Sequence, residues 1–272
     1  MIDDAHAAAQ ALVPERDAAD RLSRVHAVLL ALLLPSGSRR ALKAWQLDTA
    51  AIAGVEPLRQ HVASLSGAAR LPWFERLLAR MAAQPLAARQ ELLQATRRVM
   101  GARGTANPID RLHWLMMRRG LGEVAPLAAR PEASTEVAEW LESDVLAIAA
   151  CSAFLSRLVP GPVVDAPQGR PWYDAAMAMW LPFAEVPEWQ PPNAEAMVEA
   201  LAKMQTLSWR QRPVIVRNWV TTAINMSSGQ RLSDLAADAL RLICGLLDSP
   251  LPPELARHYI ALPSEAARQG SA

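Results

Sequence analysis

The chain has 272 residues, and its charges nearly balance: 28 Lys and Arg stand against 27 Asp and Glu, for a net charge of +1. This balance excludes the strong basic excess of many nucleic-acid-binding domains and gives no general attraction to an anionic membrane surface. The sequence is rich in Ala and Leu and contains only 3 Phe and 2 Tyr, which favours helix over sheet. A chain of this length forms one large domain or two of ordinary size.

The N-terminus and the apolar runs predict a cytoplasmic protein with no direct membrane insertion. The first ten residues, MIDDAHAAAQ, are acidic and lack the profile of a signal peptide. The longest apolar run, 25–34, contains His26 and is far shorter than the ~18–20 residues of a membrane span. Cys151 and Cys244 lie in apolar helical patterns, so we expect two small core residues, with one long-range disulfide as the alternative.

Two stretches, 85–121 and 208–248, share one plan: two amphipathic helices joined by a Gly-containing loop. In the first, Gly104 marks the loop, and Asn107 with Pro108 begins the next helix. In the second, Ser227 to Gly229 form the break and Ser233 caps the following helix. The helical spacing predicts buried stripes at Leu92, Leu93, Thr96, Val99 and Met100, then Leu112, Trp114, Leu115 and Met116, then Ile215, Val216, Trp219, Val220, Ala223 and Ile224, and finally Leu235, Ala239, Leu242, Ile243 and Leu246.

The remaining elements are also predicted to be helices, because no segment shows sustained period-2 alternation. The expected helices cover 3–12, 15–34, 39–53, 56–65, 72–83, 132–158, 193–206 and 253–260, and 263–272 form a loose tail. The fold class is therefore all-α, an antiparallel helical array. We expect four parts: 1–125, 126–192, 193–262 and 263–272.

Residues 160–192 differ from the rest in holding eight prolines together with Trp172, Trp180 and Trp189. This composition predicts an extended but packed crossover with a short helix at 172–180. The three tryptophans have two interpretations: a surface that binds a partner, or a staple that holds the crossover to the core. The arginine pairs Arg39–Arg40, Arg97–Arg98 and Arg118–Arg119 are a candidate basic patch, and Arg118 and Arg119 are candidate partner-binding residues. The balanced overall charge and the lack of interleaved aromatic residues disfavour nucleic acid.

No catalytic or metal-binding pattern stands out. The five histidines form no H-E-x-x-H, the two cysteines form no C-x-x-C, and no serine lies in G-x-S-x-G. Glu136, Glu139, Glu142 and Asp144 recur at near-helical spacing, which indicates either a cluster of acids or, as we favour, a solvated helix face. The residues alone therefore predict a non-enzymatic protein without cofactor or metal.

The helix–loop–helix segment TRRVMGARGTANPIDRLHWLMMRRGLG resembles the repeat unit of TerB-like (tellurite-resistance-type) helical domains. The loop of that repeat unit typically reads A-D-G-x-[IV]-x-P-x-E. Gly104, Pro108 and Asp110 fit this pattern, but Arg103 stands in place of the family's Asp and Ala106 in place of its Ile or Val. The second unit, GQRLSDLAADALRLICGLLD, fits less well, with Gly229 and Ala236 replacing the acids. Because these acids would supply metal ligands, we expect that neither loop binds a divalent cation tightly.

A wider resemblance covers nearly the whole chain. The order HAVLLALLL, LSGAARLPWFERLLARM, the first unit, the Pro-rich crossover and ADALRLICGLLDSPLPPEL looks like the cytosolic C-terminal region of bacterial membrane metallopeptidases of the HtpX-like class, without their peptidase domain. It implies an accessory helical module that docks a protein partner, such as a membrane-associated peptidase or its assembly. The alternative is a metal-binding or metal-sensing TerB-like protein.

Overall fold

The computed structural model describes residues 18–35, 37–104, 107–122 and 139–260. In these ranges the chain forms twelve α-helices, three short 3-10 helices and no strand, which confirms the predicted all-α class. The α-helices are α1 Ala18–Leu32, α2 Arg39–Asp48, α3 Val55–Ser64, α4 Gly67–Ala82, α5 Leu86–Gly101, α6 Pro108–Leu121, α7 Glu142–Leu155, α8 Gly169–Met177, α9 Ala194–Gln205, α10 Gln211–Met226, α11 Asp234–Leu246 and α12 Pro253–Ala256. The 3-10 helices are Ala178–Trp180, Ser228–Gln230 and Arg257–Tyr259.

The packing divides the chain into two compact units, Met1–Glu123 (unit 1) and Val124–Ala272 (unit 2). The first predicted boundary, after residue 125, lies close to this division. The predicted boundary after residue 192 does not divide the packing, because α9 packs closely against α7 within unit 2. The predicted helix at 3–12 and the tail at 263–272 lie outside the described residues.

Unit 1 is built around α1, which contacts α2, α3, α4 and α5. The apolar run recognised in the sequence supplies its core, with Leu29 and Leu30 fully buried. Trp45 of α2 is also buried, and its indole N–H donates to the carbonyl of Ala27 at 2.9 Å, which ties α2 to the middle of α1. The short apolar run at 25–34 is thus the centre of a close-packed helical core.

The α5–α6 pair has the predicted bounds and loop, with Gly104 at a φ of +87°. The predicted buried face of α6 is wrong by part of a turn. Met117 and Leu121 are fully buried, whereas Trp114, Leu115 and Met116 are only half-buried. The reason is tertiary: an added Cβ on Gly120 would lie 3.2 Å from the Leu78 side chain, so α6 approaches α4 closely along the Met117–Leu121 face.

Two further boundaries in unit 1 differ from the prediction. Helix α4 begins at Gly67, so Pro72 lies inside it and does not begin it. The proline forfeits one helical hydrogen bond, but its φ suits a helix, and the buried Leu71 and Phe74 on either side favour continuity. Helix α2 ends at Asp48, short of residue 53, and Thr49 follows as its C-cap, with its hydroxyl donating to the carbonyl of Trp45 at 2.8 Å.

Unit 2 is built around α7, which is buried on nearly all sides and packs against α8 and α9. The helix predicted at 132–158 begins only at Glu142 and ends at Leu155; residues 132–138 lie outside the described part. The start is fixed by Asp144, whose carboxylate accepts the backbone N–H of Leu141 at 3.0 Å. The all-round burial explains why α7 shows no amphipathic stripe.

The second pair in unit 2 follows the prediction except at Ile224 and Leu235, which were expected in buried stripes and are only half-buried. Helices α10 and α11 form the second pair, and Trp219, Ile215, Val216 and Val220 are fully buried as expected. The indole N–H of Trp219 donates to Ser152 Oγ on α7 at 2.8 Å. The predicted caps are also present, since Asn193 and Ser233 each accept a backbone N–H of the helix that follows. None of the helices in the described ranges combines the length and apolar character needed to cross a bilayer.

Candidate functional site

A buried ion pair closes the α5–α6 loop of unit 1. Arg103 Nη1 lies 2.5 Å from Asp110 Oδ2, and the same carboxylate oxygen accepts the backbone N–H of Asn107 at 3.2 Å. Arg103 Nη2 donates to the carbonyl of Leu33, at the C-terminal end of α1, at 2.6 Å. Both charged side chains are about nine-tenths buried. Asp110 therefore starts α6, and Arg103 joins that start to a helix 70 residues away.

His113 lies on the next turn of α6 and belongs to the same cluster. Its ring packs edge-on against Phe74 with centroids 5.0 Å apart, and Nδ1 lies 3.1 Å from the carbonyl of Ile109. Burial lowers the pKa of His113 to about 4, against the opposing attraction of Asp110. The imidazole is thus neutral at pH 7, and Nδ1 carries the proton that it donates to Ile109.

This arrangement leaves little for a metal ion to bind. The only acid of the first loop that matches the family pattern, Asp110, is held by a guanidinium and by a backbone N–H. The Arg103 guanidinium brings a permanent positive charge to the place a cation would need. Among the residues that the structure describes, no three His, Cys, Asp or Glu side chains converge as metal ligands would.

The loop of the second pair is held by hydroxyl groups. Ser233 Oγ accepts the N–H of Ala236 at 3.2 Å and donates to the carbonyl of Gly161 at 2.9 Å. Ser227 Oγ donates to the carbonyl of Ala223 at 2.7 Å. Asp234, the acid next to this loop, lies 3.0 Å from His258 Nε2. Ser233 thus caps α11 and joins it to an earlier segment, while Asp234 pairs with a later one.

The three tryptophans predicted as a partner-binding surface hold the crossover to the core. Trp172 and Trp180 are fully buried, and neither indole N–H has a hydrogen-bond partner within the described part of the chain, so their burial rests on packing alone. Trp189 is half-buried and donates to Ser156 Oγ at 2.8 Å. Two of the three rings therefore present no surface to a partner. Their positions agree with the interpretation that the tryptophans hold the crossover to the core.

An exposed apolar surface lies beside this staple, and the sequence pattern did not predict it. Trp140 packs edge-on against Trp180 with ring centroids 4.6 Å apart, and Phe183 lies 6.5 Å from Trp140 and 6.4 Å from Trp180. Phe183 is 50% exposed, and the chain neighbours of these rings are exposed as well: Leu141 by 57%, Met179 by 40% and Leu181 by 63%. We call Trp140, Leu141, Met179, Leu181 and Phe183 the aromatic surface.

The predicted basic residues Arg118 and Arg119 lie on α6. Arg118 is exposed and Arg119 half-buried in the last turn of α6, where positive charge stabilises a helix end. They belong to unit 1, whereas the tryptophans belong to unit 2. Of the other pairs, Arg97 stacks on Trp114 at 5.5 Å and Arg98 pairs with Asp48.

The acids near residue 140 do not form one helix face. Glu139 precedes α7, and Glu142 is its first residue; both are exposed, and Glu136 lies outside the described part. Asp144 is buried and lies 2.9 Å from Lys203 Nζ of α9, in addition to capping α7. The two exposed glutamates thus border the aromatic surface, while Asp144 is structural.

The cysteines and the cleft of unit 1 offer no reactive site. Cys151 and Cys244 are both buried and form no disulfide, and burial raises the pKa of the Cys151 thiol far above its usual range. A cleft of about 290 Å³ between α1 and α4 is lined by Arg21, Leu22, Val25, Arg80, Met81 and Gln84. This volume is at the lower end of ligand pockets, and its polar lining consists of exposed or half-buried side chains.

No protein-family model, curated protein or solved structure matches the chain.

Proposed function

We propose that the chain is a non-catalytic, cytoplasmic helical interaction or regulatory module that docks a protein partner through the aromatic surface of unit 2. The resemblance of the sequence adds the class of partner: a membrane metallopeptidase of the HtpX-like class or its assembly. One observation carries the proposal. Large apolar side chains that are close to one another in the chain are exposed beside Trp180, a ring that is buried in the core.

Single exposed apolar residues are ordinary on protein surfaces, but a cluster indicates an interaction site. Aromatic and Met side chains are enriched at the centres of interfaces, where they fill pockets on the partner. In this chain Trp180 is fully buried and contacts both Trp140 and Phe183. The rings are therefore held in place before binding, which lowers the entropy that docking would cost.

The alternative that the resemblance implies, a metal-binding TerB-like protein, has less support. Such a site needs several oxygen ligands around one cation. In the first loop the Asp110 carboxylate is engaged by Arg103, and in the second loop the Ser233 hydroxyl caps α11 and donates to the carbonyl of Gly161. We therefore assign both loops a structural role.

Affinity capture from a bacterial lysate tests the proposal. The wild-type chain is compared with a Leu181→Asp, Phe183→Ser double variant and with a control, Leu47→Asp, which alters an equally exposed leucine of unit 1. We expect one dominant protein to be retained by the wild type and the control and lost from the double variant. Retention of the same protein by all three chains would contradict the proposal, as would the absence of any specifically retained protein.

A further inference from the structure

We propose that the aromatic surface is built for a basic amphipathic helix of the partner, with an apolar stripe that is bordered by Lys and Arg. This inference rests on the proposed function and specifies the chemistry of its partner. Its evidence is the charge around the surface. The two segments that carry the surface, 139–144 and 178–190, contain five acids and no Lys or Arg.

Four of these acids face solvent. Glu139 and Glu142 flank Trp140 and Leu141, whereas Glu185 and Glu188 follow Phe183. The fifth, Asp144, is buried and neutralised by Lys203. Since the chain as a whole has a net charge of +1, the acids are concentrated at this surface and do not reflect a generally acidic protein.

Two basic residues on the neighbouring helices α8 and α9 do not cancel this charge. Lys203 is engaged with Asp144, at 2.9 Å. Arg170 is exposed, but it lies in the first turn of α8, at the opposite end of that helix from Met179. The apolar centre is thus bordered by carboxylates on both of its segments, which attracts a partner of opposite charge and selects against an acidic one.

An amphipathic helix would match both the apolar centre of this surface and the exposed glutamates beside it. Apolar residues at i, i+3, i+4 and i+7 form a stripe that can cover the exposed rings and leucines. Basic residues that border such a stripe would then pair with the exposed carboxylates of Glu139, Glu142, Glu185 and Glu188. An added strand has no counterpart, because the described part of the chain offers no sheet edge.

Two other occupants fit the charges less well. A second copy of the chain, bound through the same surface, would place its own four glutamates opposite these four, and like charges at an interface are unfavourable. An anionic membrane surface would be repelled for the same reason. The structure therefore favours a basic protein segment over both.

Selection from a displayed library of helical peptides tests the inference with the full chain as bait. The library keeps a common Leu and Phe stripe and varies the flanking positions among Lys, Arg, Glu, Gln and Ser. We expect Lys and Arg to be enriched at the flanks. The binding of a selected peptide should weaken about tenfold in a Glu185→Lys, Glu188→Lys variant and remain unchanged in Glu199→Lys, which reverses an exposed charge on α9.

Three results would overturn the inference. They are enrichment of neutral or acidic flanks, equal binding by the wild type and by the Glu185→Lys, Glu188→Lys double variant, or a dimer in solution that the same charge reversal strengthens.

The proposed function and the inference about the partner's charge can fail separately. If affinity capture yields a surface-dependent partner while the library selects no basic flanks, the partner chemistry is wrong and the interaction function stands. If selected basic peptides bind a chain lacking Leu181 and Phe183 as tightly as the wild type, the docking surface itself is wrong.

Discussion

The α5–α6 loop of unit 1 buries its charged side chains, whereas the aromatic surface of unit 2 exposes its apolar ones. In the loop, Arg103 and Asp110 are turned inward and paired with each other, with a helix start and with the end of α1. On the surface, Leu141, Leu181 and Phe183 are turned outward. The charges of this loop are thus engaged within the fold, while the exposed apolar groups are the ones that we propose for binding.

The largest expected effect concerns the loop. Changing Asp110 to Asn leaves the Arg103 guanidinium buried without its carboxylate, so we expect the free energy of unfolding to fall by about 3–5 kcal/mol. Urea denaturation measures the change. The control is Glu56→Gln, which breaks the partly exposed Arg59–Glu56 pair on α3 and should cost about 1 kcal/mol or less. Equal losses in the two variants would show that the Arg103–Asp110 pair behaves as a surface contact.

The second prediction concerns the neutral imidazole of the same cluster. The pKa of His113 is lowered from 6.5 in the unfolded chain to about 4 in the folded one, so the unfolded chain binds more protons between these values. The contribution of His113 is therefore complete above pH 6.5 and is lost as the pH falls toward 4, by about 3 kcal/mol in all. Stability measured from pH 7 to 4 should decline less in His113→Leu than in the wild type. Parallel curves would mean that the ring titrates as it does in water.

The third prediction concerns the other region and is a small effect. Changing Leu181 to Ser removes a side chain that is 63% exposed, so the free energy of thermal unfolding should change by about 0.5 kcal/mol or less. A large loss of stability would mean that this leucine is part of the core, and the contrast with the loop would then disappear.

The α5–α6 loop can be predicted from the sequence better than the aromatic surface, because its main contacts join residues that are close in the chain. Asn107, Asn193 and Ser233 signal helix starts through contacts with residues three positions away, so their roles follow from neighbouring residues. The tie from Arg103 to Leu33 spans 70 residues and depends on packing that no local pattern contains. The sequence therefore identifies Arg103 as an obstacle to metal binding and gives no sign of its structural partner.

The aromatic surface could not be predicted because its rings meet only in the folded unit. Trp140 and Leu141 fit the periodicity of a helix predicted at 132–158, but α7 begins at Glu142, since Asp144 caps it there. Trp180 and Phe183 come from the crossover about 40 residues later. The composition of the crossover predicts a packed segment, but which tryptophans are buried is decided by α7 and α8.

The last prediction is that adding a divalent metal ion has no measurable effect. Neither loop should bind Ca²⁺, Mg²⁺ or Zn²⁺ with micromolar affinity, because Arg103 engages Asp110 and the second loop carries a single acid, Asp234, already paired with His258. Titration calorimetry is the measurement. Micromolar binding that is lost in Asp110→Asn would restore the metal-binding alternative and reverse the roles of the two regions.

Site-specific photo-crosslinking tests the docking role of the aromatic surface most directly, because it reports on that surface inside an intact cell. A benzophenone amino acid is placed at position 181 on the aromatic surface and, separately, at position 47, an exposed leucine of unit 1. We predict one discrete crosslinked protein from position 181, lost when Phe183 is replaced by Ser, and none from position 47. The same crosslinked protein from both positions, or none from position 181, would contradict this role.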